Sequence, residues 1–276
     1  MPPRSAESIA VIGAGHAGHA MAAHLTLEGF AVRLFEMPRF AENIRPAQER
    51  GGIELTGVVG EGFAKLELTT TDVAQAIQGV SHIFVVTQAL APAAIAQLCA
   101  PHVEEAQTII LFPRSGGALQ VAKTLRDEGV TKKIYIAETV TLPYACRIKG
   151  PAWVNVHSGP AAREIIAAFP GKDIDAVIEA TQPVYPMLFP ATHALEPALY
   201  NPNILLHPIG VIFSLSRIEY SQGEFWMYKE AFTPSVMKLL KALEKERVAM
   251  LKAVGVEPME FGAYYEYRYQ KPWSDF

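Results

Sequence analysis

Two periodicities of apolar positions divide the chain. In the first half, short β-branched runs recur between helical patterns. Residues 8–13 (SIAVIG) read as a strand, 16–29 (HAGHAMAAHLTLEG) as a helix with small residues on its inner face, and 31–36 (AVRLFE) as a second strand. A polar helix is expected over 38–50. Residues 53–70 read as an inserted hairpin, because Gly57, Gly60 and Gly62 interrupt two alternating runs. DVAQAIQG follows, then a strand at 82–87, a helix near 91–100, a strand at 108–112, a helix from Gly117 to Glu128 and a strand at 133–138. Strands alternating with helices predict βαβ units and a parallel, doubly wound sheet.

The pattern changes at 183–202, where Pro183, Pro186, Pro190, Pro197 and Pro202 are expected to keep any regular element from running through. Beyond it the period is helical almost to the end. Residues 203–220 (NILLHPIGVIFSLSRIEY) predict one helix. A second is predicted from Thr233 as N-cap, with Pro234 at its first position and Gly255 as its stop. The expected organisation is a sheet domain over 1–190 and a helical domain over 191–276.

Composition narrows the class. The 276 residues are 50% hydrophobic and 19% charged, as in a folded soluble protein. The net charge of −4, with no run of Lys or Arg, argues against nucleic acid or an anionic membrane as the partner. The longest apolar stretch, 204–215, is broken by His207, Pro208 and Gly210 and is shorter than the roughly 18 residues that span a bilayer. A strand-like run begins after seven residues, so no signal peptide is expected. Cys99 and Cys146 are the two cysteines, too few for a zinc quartet or a disulfide framework, and a cytoplasmic location is expected. No metal site is expected.

The first strand and helix enclose Gly13-x-Gly15-x-x-Gly18, and Glu36 ends the next strand 18 residues after Gly18. In that context Gly13 makes the tight turn, Gly15 lets backbone approach a pyrophosphate and Gly18 lets the helix lie close to the sheet. The helix start at His16 and Ala17 then offers N–H groups and partial positive charge to the phosphates. Incidental glycines in a strand–helix turn are the bland alternative. The expected fold is therefore an α/β, doubly wound Rossmann-type parallel sheet domain followed by an all-helical C-terminal domain. Glu36 would accept hydrogen bonds from a ribose 2′-hydroxyl, which favours NAD, whereas Arg39 would serve a 2′-phosphate and keeps NADP as the alternative. Ligands of such sheets lie beyond the carboxyl ends of the strands, here including Gln88 in TQA (87–89) and the PRSGG segment (113–117).

A nicotinamide carries hydride, so the protein must supply orientation and a proton donor or acceptor, for which histidine is the commonest choice. There are eight histidines. His16 lies in the glycine loop, where it would touch cofactor rather than substrate. His19 and His24 fall in the first helix, His82 at a strand start and His102 at a helix end. His157 and His193 stay open. His207 interrupts the apolar stretch NPNILLHPIG, and Pro208 after it cannot donate to the carbonyl of Ile204, leaving polar backbone near the imidazole. Asn201 and Asn203 lie close enough before it to orient a substrate or the ring. His207 and Asn203 are the catalytic candidates; a satisfied core histidine is the alternative.

The stretch NPNILLHP, followed by TPSV (233–236) and ER (246–247), with upstream Glu138, Thr139, Cys146 and Arg147, resembles the octopine/nopaline (opine) dehydrogenase family from the glycine loop to about Tyr269. The resemblance implies an enzyme that uses NAD(P)H to reduce the imine formed between a 2-oxo acid and the amine of an amino acid, with His207 in the place of the catalytic histidine. Its partners are then small molecules. Both substrates are carboxylates, so a clamping arginine is expected among Arg114, Arg147, Arg217 and Arg268, which no spacing ranks. In the family, helical sequence continues past the equivalent of Phe276 and carries a carboxylate-binding arginine and an aspartate paired with the histidine. Here the sequence stops at YRYQKPWSDF, and the surroundings of Asp275 do not match. A ketopantoate-reductase-like 2-oxo acid reductase is a second reading, but that family uses a lysine as proton donor and none lies in 201–207. A non-catalytic dinucleotide-binding regulatory protein is a third, supported by the short C-terminus. No G-x-S-x-G motif is present. Tyr264, Tyr265, Tyr267 and Tyr269, read as exposed, leave a homodimer open.

Overall fold

The β-branched runs of the first half pair into the strands they predict. The computed structural model describes residues 8–113 and 115–273, so Arg114 and Asp275 lie outside it. The chain divides into two units, Met1–Pro197 and Ala198–Phe276.

In the first unit β1 (Ser8–Ile12), α1 (His16–Leu27) and β2 (Ala31–Phe35) open the chain. The single helix expected over 38–50 is two pieces, a 3-10 turn at Pro38–Asn43 and α2 (Arg45–Arg50). Phe40 leaves the helical region (φ −120°, ψ 22°), and Pro46 has no N–H to bond back into the preceding turn. There follow β3 (Gly52–Gly57), β4 (Gly62–Lys65), β5 (Leu68–Thr70), α3 (Val73–Ile77), β6 (His82–Val85), α4 (Pro92–Cys99), β7 (Thr108–Leu111), α5 (Gly117–Asp127) and β8 (Tyr135–Thr139). A hairpin of β9 (Ala145–Gly150) and β10 (Trp153–Ser158) precedes β11 (Glu164–Ala168), α6 (Ile174–Thr181) and β12 (Leu188–Pro190).

The main sheet has the order β12-β11-β8-β7-β6-β1-β2-β5. From β5 to β8 it is parallel and doubly wound, as the alternation predicts. Beyond β8 it is mixed: β11 runs antiparallel to β8, pairing Ala167 with Glu138. A parallel neighbour needs a crossover packed on the sheet, and here the intervening chain forms the β9–β10 hairpin instead. The end of the expected 53–70 hairpin also differs. Its arms β3 and β4 do pair antiparallel, but β5 joins the main sheet beside β2, with Leu68 opposite Arg33. β3 also pairs with β10, giving a second sheet of order β4-β3-β10-β9.

Helix α1 packs on β1 and β2 on one side and on β3, β4, β9 and β10 on the other. Its six consecutive residues 18–23 are buried. That exceeds one turn, so no face of this stretch reaches solvent, and small side chains are what fit. Two of its histidines have internal partners. Nδ1 of His19 lies 3.2 Å from the Gly15 carbonyl, and Nδ1 of His24 lies 2.9 Å from the Tyr144 hydroxyl, itself 2.7 Å from that of Tyr185. Burial lowers the pKa of both below 6.5, against a weaker opposing pull of Glu28 on His24. The unfolded chain therefore binds these protons first, and stability falls as pH drops below about 6.5, levelling off below the folded-state values. The urea midpoint is expected to fall between pH 7 and pH 5, and to fall less in His24→Asn; an equal fall in the variant removes this account.

The proline-rich segment holds two short elements rather than none: β12 ends on Pro190, and α7 (Glu196–Tyr200) carries Pro197 in its first turn, where no helical N–H is required. In the second unit come α8 (Asn203–Ile212), α9 (Leu215–Tyr220), α10 (Met227–Glu230), α11 (Pro234–Ala253) and α12 (Phe261–Tyr269). The single helix predicted over 203–220 is thus broken. The break falls not at Pro208, which α8 contains, but at Ser214 (φ −118°, ψ 8°). Leu205, Leu206 and Ile209 of α8 pack on Val236 and Leu240 of α11. α11 begins and ends as its sequence predicts: the Thr233 hydroxyl accepts from the Val236 N–H and Gly255 takes φ +78°. Buried Arg247 ties this unit together, donating to Glu244 and to the carbonyls of Leu199 (3.4 Å) and Met259 (2.7 Å). Of the four tyrosines near the end that were expected to be exposed, Tyr269 is, whereas Tyr265 and Tyr267 are half-buried. Tyr264 is buried and stacks on Tyr200 at 4.9 Å, and Tyr265 packs on Tyr269 and Trp273.

Candidate functional site

The glycine loop joins β1 to α1. Gly13 takes φ +106°, and a Cβ there would meet the Val86 carbonyl oxygen at 2.7 Å. A Cβ on Gly18 would lie 1.7 Å from the Gly13 carbonyl oxygen, so α1 reaches the loop only because this residue has no side chain. Gly15 is the opposite case: it is exposed, and a Cβ would meet nothing within 4 Å. No side chain caps the start of α1, so its first N–H groups and the positive end of the helix face this open space. The arrangement fits a pyrophosphate.

The other cofactor candidates surround the loop in different ways. His16 is exposed, and its Nδ1 accepts from the Ile148 N–H at 3.0 Å, which ties the loop to β9 and leaves the ring proton on Nε2. Ala17 packs against the core. Gln88 is exposed in the turn after β6, its carbonyl accepting from Ala91 N–H at 3.0 Å. Glu36 is buried rather than presented. Its Oε2 accepts from Ala14 N–H (3.0 Å) and Asn43 Nδ2 (3.3 Å), and its Oε1 from Met37 N–H (2.8 Å). In the 113–117 segment Gly116 takes φ +86°, and the buried Glu138 carboxylate accepts from the Gly116 (3.0 Å) and Ala118 (2.8 Å) N–H groups. The start of α5 thus already holds an anion.

In the helical unit His207 is half-buried on α8, with Nε2 2.9 Å from the Tyr228 hydroxyl. Asn203 is exposed one turn earlier, on the same face by helical spacing. Asn201 is instead buried, its Oδ1 accepting from the N–H of Asn203, the first residue of α8, at 3.0 Å in a turn that leads into the helix. Burial lowers the His207 pKa and raises that of Tyr228. The pair is neutral at neutral pH, an imidazole held by a phenol. Tyr228 carried no signal in the sequence: it lies 21 residues from His207, across a chain reversal. Losing its hydroxyl forfeits one hydrogen bond, on the order of 1 kcal/mol. Tyr228→Phe is expected to lower the urea midpoint slightly and, in buffer without urea where the variant is folded, to slow turnover about fivefold to tenfold; full activity would deny it any part in holding the ring.

Other candidates have internal roles. His82 lies between the Ser81 hydroxyl (2.8 Å) and the Ala180 carbonyl (2.9 Å). His193 Nδ1 accepts from the Leu195 N–H at 3.1 Å. His102 and His157 are exposed. Of the arginines, Arg147 is exposed and bonds the neighbouring Cys146 carbonyl, Arg217 pairs with Glu230 at 3.0 Å, and Arg268 is buried against the Tyr269 ring. Among the described residues no His, Cys, Asp or Glu cluster can hold a metal, and no helix is long and apolar enough to cross a membrane.

Comparison with known proteins places the chain among the NAD(P)-dependent oxidoreductases. Residues 190–276 match the family model of the NAD/NADP octopine/nopaline dehydrogenase alpha-helical domain, and residues 9–164 match that of ketopantoate reductase PanE/ApbA. The chain is 34% identical to the opine dehydrogenase of Arthrobacter sp. (strain 1C) over 248 residues, which are 90% of this chain and 68% of that protein. Octopine dehydrogenase in complex with NADH and agmatine has a similar structure, with a TM-score of 0.73 at 20% identity, covering 95% of this chain and 70% of that one. NADP+-bound yersinopine dehydrogenase gives 0.76 at 17%, covering 93% and 66%. The chain belongs to the opine dehydrogenase family.

Proposed function

We propose that the protein catalyses the NAD(P)H-dependent reductive condensation of a 2-oxo acid with the amino group of an amino acid, with His207 as its acid–base residue. The observation that carries this reading is the His207–Tyr228 pair, set one turn from Asn203 in the unit that matches the family's helical domain. Structural relatives bind NADH in one case and NADP+ in another. In the first unit Gly13, Gly15, His16, Ala17 and Gly18 would hold the pyrophosphate, with Gln88 at the same rim. When bound, the dinucleotide supplies a hydride to the imine carbon. Protonated His207 gives the proton taken up by the reduced nitrogen, and neutral His207 accepts it in the reverse direction. Tyr228 holds the imidazole, and Asn203 orients the substrate. We take 1–190 as the dinucleotide domain and 191–276 as the substrate and catalytic domain.

The partners are small molecules, and the net charge of −4 offers nucleic acid no attraction. Cys99 and Cys146 are buried free thiols, in keeping with a reducing cytoplasm. The test is NADH and NADPH oxidation with pyruvate and a panel of amino acids. Turnover that needs both oxo acid and amine is expected. The match of residues 9–164 to ketopantoate reductase favours a second reading, reduction of a 2-oxo acid alone, and turnover without amine would select it.

A further inference from the structure

We infer that the amine substrate is an amino acid with a large apolar side chain, received by the exposed apolar residues that flank His207. The inference rests on the function proposed above and concerns the same site. The amino group and the side chain of an amino acid share one carbon. An amine close enough to exchange a proton with His207 therefore brings its side chain against whatever borders the imidazole. On α8 the positions that share the face of His207 and reach solvent are 203, 204 and 211. Asn203 is the polar one; Ile204 is 44% exposed and Val211 41%. On the α10 side the Tyr228 ring, whose hydroxyl meets Nε2 of His207, is 60% exposed and stacks on Phe232 with centroids 6.1 Å apart. A lone exposed Ile or Val is ordinary on any protein. Here three apolar surfaces border one polar ring, and each would lose water to the hydrocarbon of a bound side chain.

A cationic side chain finds no partner on these two helices. No Asp, Glu, Lys or Arg occurs between Pro197 and Ser216, so α8 offers nothing for an ionised group to pair with. The single carboxylate of α10, Glu230, is engaged at both oxygens, by Arg217 Nε at 3.0 Å and by the Trp226 N–H at 3.0 Å. Lys229, exposed next to Tyr228, would repel a second cation. A guanidinium or ammonium brought here would give up water without gaining a carboxylate.

The experiment is steady-state oxidation of NADH and NADPH with pyruvate and, in turn, L-alanine, L-leucine, L-methionine, L-lysine, L-arginine and L-glutamate, for wild type and Ile204→Glu. One added methylene in a hydrophobic site is worth about tenfold or more. Wild type is therefore expected to favour L-leucine or L-methionine over the other four at least tenfold in kcat/KM. Ile204→Glu places a carboxylate in the first turn of α8, where the helix dipole accepts it. It should shift the ratio of L-leucine to L-lysine at least tenfold toward L-lysine, and a ratio cancels any general loss of activity. A wild-type preference for a charged or small amino acid, or a ratio unmoved in the variant, overturns the inference and leaves the proposed reaction standing. Turnover without amine, or none with any amine, overturns the reaction itself and the inference with it.

Discussion

Replacing His207 with alanine is expected to lower turnover about 10²–10⁴-fold while NADH binding stays unchanged. The proposed cofactor cradle belongs to the first unit and His207 to the second, so the substitution changes no residue of the glycine loop. What is lost is proton transfer. Its direction carries a pH signature, because burial holds the His207 pKa below 6.5. The reductive direction needs the protonated ring, so its rate should decline as pH rises through that lowered value. The oxidative direction needs the neutral ring and should rise to a plateau above it. Steady-state rates in both directions across pH 5 to 9, with nucleotide titrations alongside, measure this. A variant that keeps a tenth or more of the activity, or wild-type profiles without opposite slopes, would take the acid–base role away from His207.

Gly18→Ala and Gly15→Ala should fail in different ways. The added Cβ at 18 would sit 1.7 Å from the Gly13 carbonyl oxygen, a backbone atom that cannot swing aside. Helix α1 must then move off the loop while its other side is held by the second sheet, at a cost of about 1–3 kcal/mol or more. Gly18→Ala should lower the urea midpoint and lose nucleotide binding together. At 15 the new methyl meets nothing in the protein and the backbone (φ −73°) suits any residue. Gly15→Ala should keep the wild-type midpoint yet weaken nucleotide binding tenfold or more, because the methyl occupies the approach of the pyrophosphate. Urea unfolding beside fluorescence titration separates the two. Unimpaired binding in Gly15→Ala would mean that the nucleotide does not approach there.

The parts of this protein that were legible in its sequence are those whose causes are contiguous. The three glycines owe their pattern to one turn, α11 carries its own cap and stop, and His207 stands out because a polar ring interrupts an apolar stretch. What was not legible depends on partners far along the chain. β9 and β10 do alternate, with Cys146, Val154 and Val156 buried and Ala145, Arg147 and Lys149 exposed, but their place is set by β3, about a hundred residues earlier. The reversal of β11 and the capture of β5 by β2 are likewise matters of pairing. The inward turn of Glu36 follows from the Ala14 and Asn43 donors that the fold brings to it, and the Tyr264 ring is hidden by Tyr200, 64 positions away. Patterns along a chain report which face a residue prefers, not which neighbour will cover it.

The burial of α1 between two sheets has a consequence for binding. A loop that must be ordered by its ligand takes that entropy loss out of the affinity. Here the helix whose first amides are proposed to face the phosphates is immobilised on both sides by strands, and the loop before it is pinned by Glu36 and His16. That ordering is completed when the first unit folds, so the nucleotide meets a preorganised cradle. The run of alanine and glycine in α1 gives up large apolar side chains, and with them some core stability, for a receptor that is rigid before anything arrives.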